Sequence, residues 1–381
     1  MKNPIIVLLL LLLNSYILAD TNIPAGNVSG IWTQSGSPYL IEGEITIPNG
    51  ETLSIDPGCL IEFQGHYKLN VQGRLFAVGT EAEKIHFIIN DTTGFSNPYS
   101  DDGSWHGIRF EETPAENDSS YIINCILEYG KARGSSNNED SHGGAIHIRN
   151  FSKVRISHSI IRNNRAYYGG GIYCREASPI ITDNVICDNI ANSGGGLNSL
   201  QSYPTIQSNI FIRNYTYWSG GAIHWNSYNT YNELILINNL ISENVTEGSG
   251  GGINCGRSLQ NGQMINNTIC NNSAEEGGGI QFYYINCDII NCILYGNTAT
   301  ANGNQVNLYD NSSDPNLYYC NVQGGFEDFG VHGSIIYEGE YENNIDLDPC
   351  FTMNNDHPYS LLAESYCINN GCPDISNLNL P

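Results

Sequence analysis

Residues 164–172 read Asn164-Arg165-Ala166-Tyr167-Tyr168-Gly169-Gly170-Gly171-Ile172, an arrangement that returns about every 25 residues. The next copies are Asn189 to Gly194-Gly195-Gly196-Leu197 and Asn214 to Gly220-Gly221-Ala222-Ile223. Asn244 to Gly250-Gly251-Gly252-Ile253 and Asn272 to Gly277-Gly278-Gly279-Ile280 follow. A fixed period of this size is the mark of stacked repeats, because no single repeat can bury its apolar face alone.

Aligned on the asparagine, the copies resolve into columns. Eight residues upstream stand Ile156, Ile181, Ile206, Leu236, Met264 and Ile289. Three upstream stand Ile161, Ile186, Phe211, Ile241, Ile269 and Leu294, and two downstream Ala166, Ala191, Thr216, Thr246, Ala274 and Ala299. A second polar column lies five residues upstream: Ser159, Asn184, Asn209, Asn239 and Asn267, broken by Cys292. Apolar positions at short alternating spacing, broken by Asn and Gly, predict short strands joined by tight turns. The segments between turns are too short for helices.

Stacked at strand spacing of ~4.8 Å, these columns become ladders inside an all-β, single-stranded parallel β-helix of about 25 residues per coil. Asn164, Asn189, Asn214, Asn244 and Asn272 are then a structural ladder, each inward amide bonding its copies above and below. Asn also tolerates a left-handed backbone at a bend. The Gly runs suit sharp corners that need positive φ or close backbone approach.

Gly143-Gly144-Ala145-Ile146 and Gly220-Gly221-Ala222-Ile223 match the Gly-Gly-Ala-aliphatic motif of the polymorphic outer membrane proteins, and Phe211-Ile212-Arg213-Asn214 their Phe-x-x-Asn. The other copies replace Phe by Ile or Leu. Over roughly residues 140 to 310 the chain resembles the right-handed, pectate-lyase-like parallel β-helices, and among them the repeat proteins of bacterial surfaces. The resemblance implies a right-handed helix and an adhesin-like role. Those relatives are typically autotransporters with a C-terminal membrane barrel, for which no sufficient set of ten-residue alternating strands is present here.

Residues 1–19 read as a secretory signal peptide: Lys2, the apolar run Ile5 to Leu13, then Ala19. Residues 20–140 read as opening coils, in which Ile45-Thr46-Ile47 and Leu69-Asn70-Val71 alternate and Trp105-His106-Gly107-Ile108 adds a further coil. A polar insertion, Gly134 to His142, precedes the regular array of 141–325, and 326–381 reads as a closing segment that caps the stack. No later segment is apolar enough to be transmembrane once the signal is removed.

The 15 Lys and Arg against 39 Asp and Glu give a net charge of −24. That argues against nucleic acid and anionic membrane surfaces, and disfavours a polyanionic substrate unless Ca²⁺ bridges the charges. It fits a protein exported to the cell surface or the extracellular space. No Cys-x-x-Cys pair with matching ligands occurs, so no zinc site is expected, and no cofactor is indicated. Of 12 cysteines, Cys174 and Cys255 share a column, as do Cys187 and Cys270, each pair three coils apart. That separation, ~14 Å, exceeds disulfide reach, so these four read as buried small hydrophobes. Cys350, Cys367 and Cys372 are better placed to pair. The sequons Asn214-Tyr215-Thr216 and Asn244-Val245-Thr246 fall on ladder asparagines and are read as buried, not glycosylated.

Chemistry is less legible, and the catalytic residues are unassigned. Hydrolases need paired carboxylates, and lyases of this architecture need Lys or Arg beside a carboxylate cluster. Asp101-Asp102 reads as a solvated loop, and Asp356-His357-Pro358 lies in the closing segment. His142, His147, Arg149, Arg155, His158, Arg162 and Arg165 form the densest basic cluster, either a catalytic or anion-binding face or a solvated strand face. Tyr167-Tyr168 and Tyr217-Trp218 follow their ladder Asn by the same three and four residues, two coils apart, with Asn192-Ser193 between. Equivalence would set the two aromatic pairs ~10 Å apart on one edge, where their rings could stack on sugars. The expected function is an exported, non-catalytic protein binding carbohydrate or mediating adhesion to a glycan or host-surface partner. The alternative is a polysaccharide lyase, hydrolase or epimerase.

Overall fold

In a computed structural model, which describes residues 20–227, 234–257, 262–352 and 359–372, the chain is a parallel β-solenoid of about 12 coils with roughly 26 residues each. The signal-peptide reading of residues 1–19 and the Asp356-His357-Pro358 motif fall outside the described residues. No helix among those residues is long and apolar enough to cross a membrane.

Three sheets of twelve strands run the length of the stack, and a fourth of seven strands joins them from Lys131–Ala132 onward. In one coil the chain passes through Ile146–Arg149 in the second sheet and Val154–Ser157 in the third. It continues through Ile160–Arg162 in the first and Arg165–Ala166 in the fourth. In the three long sheets each strand pairs in parallel and in register with the copy one coil away, as in Ile156↔Ile181 and Ile161↔Ile186. The apolar columns are therefore continuous inside the coil, and Ile156 through Ile289 and Ile161 through Leu294 are fully buried. They also extend towards the N-terminus through Ile122, Ala77, Ile55 and Trp32, coils that carry no marker asparagine. Towards the C-terminus, Gly330–Val331 and Tyr341–Glu342 still join the second and third sheets.

The asparagine column forms an unbroken hydrogen-bonded chain. Asn164 Nδ2 donates to Asn189 Oδ1 at 3.0 Å and Asn189 to Asn214 at 3.0 Å. Asn214 donates to Asn244 and Asn244 to Asn272, both at 2.9 Å. Each Oδ1 also accepts the backbone N–H of the asparagine one coil before, as in Asn189 N to Asn214 Oδ1 at 3.1 Å. The column gains a further member, Asn297. One expectation is corrected: the ladder asparagines do not hold the left-handed backbone. The residue before each one does, with φ between 54° and 57° at Asn163, Asp188, Arg213, Glu243 and Asn271. Reversing the chain one position earlier leaves the Asn free to aim its amide along the stack.

The Gly triplets serve both needs assigned to them. Gly169 has φ 65°, and a Cβ there would lie 2.2 Å from the Ile172 carbonyl oxygen. A Cβ on Gly170 would lie 2.5 Å from the Gly195 oxygen of the next coil. Corner and inter-coil contact both exclude a side chain.

Candidate functional site

The four aromatic residues singled out in the sequence come together, but not as two equivalent pairs. Tyr168 pairs with Ser193, and Ser193 with Ser219, so Trp218 is not the equivalent of Tyr168. The strand Tyr215–Ser219 holds one residue more than Ile190–Ser193, and the register shifts between them. The extra residue pushes Trp218 outward, 48% exposed, and back over the earlier coils. Its ring centroid lies 5.4 Å from Tyr167 and 6.3 Å from Tyr168, closer than the ~10 Å that two coils of strand spacing give.

The fourth sheet also divides these rings between two grooves. Tyr167 and Tyr217 line one of about 400 Å³, with Tyr99, Lys131, Arg133 and Arg165. There Arg165 Nη2 donates to the Tyr217 hydroxyl at 3.3 Å. Trp218 lines a second groove of about 360 Å³, with His224, Asn254, Gln281, Tyr283 and Tyr309.

The floor of this second groove is a column that the repeat's asparagine and aliphatic positions do not mark. In the second sheet, aliphatic residues such as Ile146 and Ile148 point inward, so the residue between them points out. In register along the stack these outward residues are Arg109, His147, Tyr173, Asn198, His224, Asn254, Gln281 and Asn307. Every one can hydrogen-bond. The serines on the neighbouring edge tie them down. Ser219 Oγ lies 3.0 Å from His224 Nδ1, and Asn254 Nδ2 donates to Ser249 Oγ at 3.2 Å. Asn307 Nδ2 donates to Gln281 Oε1 at 2.7 Å, and the Asn226 and Asn307 Oδ1 atoms have no partner. Burial lowers His224 to about 4, so the floor there is neutral at neutral pH. Opposite Trp218, Tyr283 and Tyr309 stand 4.9 Å apart, and Arg257 lies 5.1 Å over Tyr283.

At the N-terminal end the same column becomes ionic. The inserted loop carries the 3-10 turn Glu139–Ser141, capped by the Asn138 side chain. It sets Glu139 against Arg175, 3.7 Å from His142 Nδ1 and 3.7 Å from His147 Nε2. Glu111 reaches the other side of His147, 3.2 Å from Nδ1. Arg109 donates to the His106 and His142 carbonyls. Lys68 pairs with Asp140 at 3.1 Å, and His106 Nε2 lies 2.7 Å from the Asp140 carbonyl.

The adjacent His142 imidazole and the charge of Arg175 hold Glu139 at about 2 against its burial. Burial works to raise Glu111, but His147 and the charges of Arg109 and Lys68 outweigh it, and it too sits at about 2. Burial, with Arg109 adding to it, lowers both His147 and His106. Burial alone brings Arg109 down to about 10, and it stays charged. The cluster thus fastens the insertion over the end of the groove.

This geometry dissolves the basic cluster read from the sequence. His142 and His147 are buried under the insertion, while Arg155 and His158 are exposed. Arg162 pairs with Glu128 at 2.7 Å, and Arg165 faces the first groove. Nor is Asp101-Asp102 merely solvated: Asp101 takes two hydrogen bonds from Arg133, and the Asp102 carbonyl accepts from Lys131. Among the described residues no group of three or more His, Cys, Asp or Glu could hold a metal ion. Neither a protein-family model nor a curated protein matches this chain.

Proposed function

We propose that this is an exported, non-catalytic protein that binds a carbohydrate chain along the groove beside the fourth sheet. The observation that carries the reading is the open groove of about 360 Å³ in which Trp218, Tyr283 and Tyr309 stand around the half-buried His224 and Asn226. Beneath it the column Tyr173, Asn198, Asn254, Gln281 and Asn307 is buried and packs the floor, which leaves His224 and Asn226 half-exposed to a ligand. Rings stand on both walls, Trp218 on one and Tyr283 with Tyr309 on the other. Ring faces stack on the apolar faces of sugars, and amides and imidazoles bond their hydroxyls. An open groove of this kind predicts a Kd of roughly micromolar to millimolar.

The test is calorimetric titration of neutral oligosaccharides selected on a glycan array. Trp218→Ala with Tyr283→Ala should weaken binding at least tenfold while the fold is kept. Equal affinity in the double variant removes this groove as the site.

The second reading, a polysaccharide-active enzyme, draws on the convergence of Glu111, Glu139, His147 and Arg175. Against hydrolysis stands the protonation of that cluster. A glycoside hydrolase needs one carboxyl that still carries a proton, and both are held at about 2. The imidazoles are sealed, with His147 at 0% and His142 at 2% exposure. Release of reducing ends or of unsaturated products from the bound glycan would overturn the non-catalytic reading.

A further inference from the structure

The second polar ladder changes chemistry near its C-terminal end. Asn184, Asn209, Asn239 and Asn267 link coil to coil through their amides, and then two consecutive positions are cysteines, Cys292 and Cys320, before Asn344 resumes. The backbone does not change with them. Asn291 and Tyr319, the residues before the cysteines, have φ of 54° and 56°, as Asn266 has before Asn267. The two thiols therefore occupy stacked, equivalent corners of adjacent coils, 28 residues apart in sequence. The Cys292 N–H lies 3.4 Å from Cys320 Sγ. Neighbouring parallel strands stand ~4.8 Å apart, inside the Cα separation of roughly 4.4–6.8 Å that a disulfide accepts. The columns that hold Cys174 with Cys255, and Cys187 with Cys270, offer no such neighbour. Ser199 and Trp225 separate the first pair, and Ile212 and Ser242 the second.

We infer that Cys292 and Cys320 are an oxidisable pair that closes into a cross-coil disulfide by exchange with a small-molecule disulfide, with Cys292 as the attacking sulfur. The asymmetry is built by neighbours. Both sulfurs face a backbone N–H, Cys292 that of Asn267 at 3.3 Å and Cys320 that of Cys292 at 3.4 Å, and Cys292 faces the Asn267 amide Nδ2 as well, at 3.8 Å. Burial opposes the Cys292 thiolate, but the hydrogen bonds from Cys320 and Asn267 outweigh it and lower the thiol, whereas burial and the Cys292 charge push Cys320 well up. Both thiols are buried, at 1% exposure each, and border a cavity of about 490 Å³ between the last coils and the closing segment, lined also by Tyr319, Leu361 and Cys367, through which a reagent has to enter.

The exchange balances in two steps. The Cys292 thiolate attacks one sulfur of the reagent, breaking its S–S bond, expelling one half as a thiolate and leaving a mixed disulfide. Cys320 then loses its proton to the expelled thiolate and attacks the Cys292 sulfur, which releases the second half. Both protein sulfurs are oxidised and both halves of the reagent are reduced to thiols.

The test uses the full mature chain equilibrated with oxidised glutathione, then alkylated and peptide-mapped. Wild type should give one cross-linked peptide joining Cys292 to Cys320 and a raised unfolding temperature that reductant reverses. Cys320→Asn restores the ladder residue of the preceding coils, so the corner keeps its partners; it should stop at a glutathione adduct on Cys292. Cys292→Asn should leave Cys320 unmodified. The pair is disproved if wild type keeps both thiols alkylatable at equilibrium, or if either sulfur joins Cys367 instead. An adduct on Cys320 in Cys292→Asn, with none on Cys292 in the converse variant, overturns the assignment of the attacking sulfur.

Discussion

The coils before Asn164 and those after it solve one packing problem in two ways. In the regular array a buried corner is filled by amides, each satisfied by the coils on either side. The solution works only if the neighbouring coils supply the same residue at the same place, so it fixes the register. The opening coils fill their interior with rings. Phe63 stacks on Trp105 at 4.6 Å with Phe87 6.2 Å beyond, and Trp32 stacks on Tyr39 at 4.6 Å. Ring stacking demands shape but no identity, so those coils vary freely and leave no period in the sequence. The two regions meet where the Gly130 N–H donates to Asn164 Oδ1 at 2.8 Å. Beside that junction the insertion docks through its ion pairs.

The largest effect expected from this contrast lies in the aromatic region. Trp105 is fully buried, and its Nε1 donates to the Glu128 carbonyl at 2.7 Å. Trp105→Ala should cost about 4 kcal/mol through lost transfer energy and a cavity. Urea unfolding of the full chain measures it, and a cost below that of the ladder variant would reverse the ranking of the two regions.

Asn214→Leu comes next. It strips the acceptor from both the Asn189 N–H and Asn189 Nδ2 and takes one of two donors from Asn244 Oδ1, which keeps the backbone N–H of residue 214. Orphaned buried groups cost about 1–3 kcal/mol each, with relaxation between them, so a loss on the order of 3 kcal/mol is expected. An unchanged midpoint would mean that the stacked amides contribute nothing.

The smallest effect is one of pH. His224 is lowered from 6.5 to about 4 by burial, so the unfolded chain binds its proton first. Its contribution is complete above pH 6.5 and is lost as pH falls from there towards 4. His224→Asn matches Asn198 and Asn254 on either side, and should remove on the order of 2 kcal/mol of that acid sensitivity. An identical stability–pH curve between 6.5 and 4 would show that His224 takes up its proton as readily in the fold as in the unfolded chain.

Much of the groove was written in the array and still went unread. The residue after each Gly-run aliphatic is His147, Tyr173, Asn198, His224, Asn254 or Gln281. Each forms hydrogen bonds, a column as regular as the apolar ones. The inward positions that define the core leave this column between them unmarked, since strand neighbours point to opposite faces. The aromatic edge was legible only in part. Spacing from the asparagine counted Trp218 as the partner of Tyr168, but the bulge in Tyr215–Ser219 gave that place to Ser219. A one-residue insertion leaves the count of positions plausible while it moves every side chain after it.

What the sequence determined by itself was the repeat: its period, the inward columns, the ladder and the Gly corners. Each is a local pattern repeated under one physical demand, that every coil bury the same face against its neighbour. Only the tertiary structure decided what single positions do. It carried the coils back through Ala77 and Ile55 where no asparagine marks them, and set Trp218 edge-on against Tyr167 while the two line different grooves. It also drew the half-buried Glu111 and Glu139 against the buried His142 and His147 from separate segments. The reason is that a ladder depends on likeness between coils, which alignment can count. A site depends on differences between them, on which loop is longer and where its charge comes to rest, and those distances exist only once the stack is built.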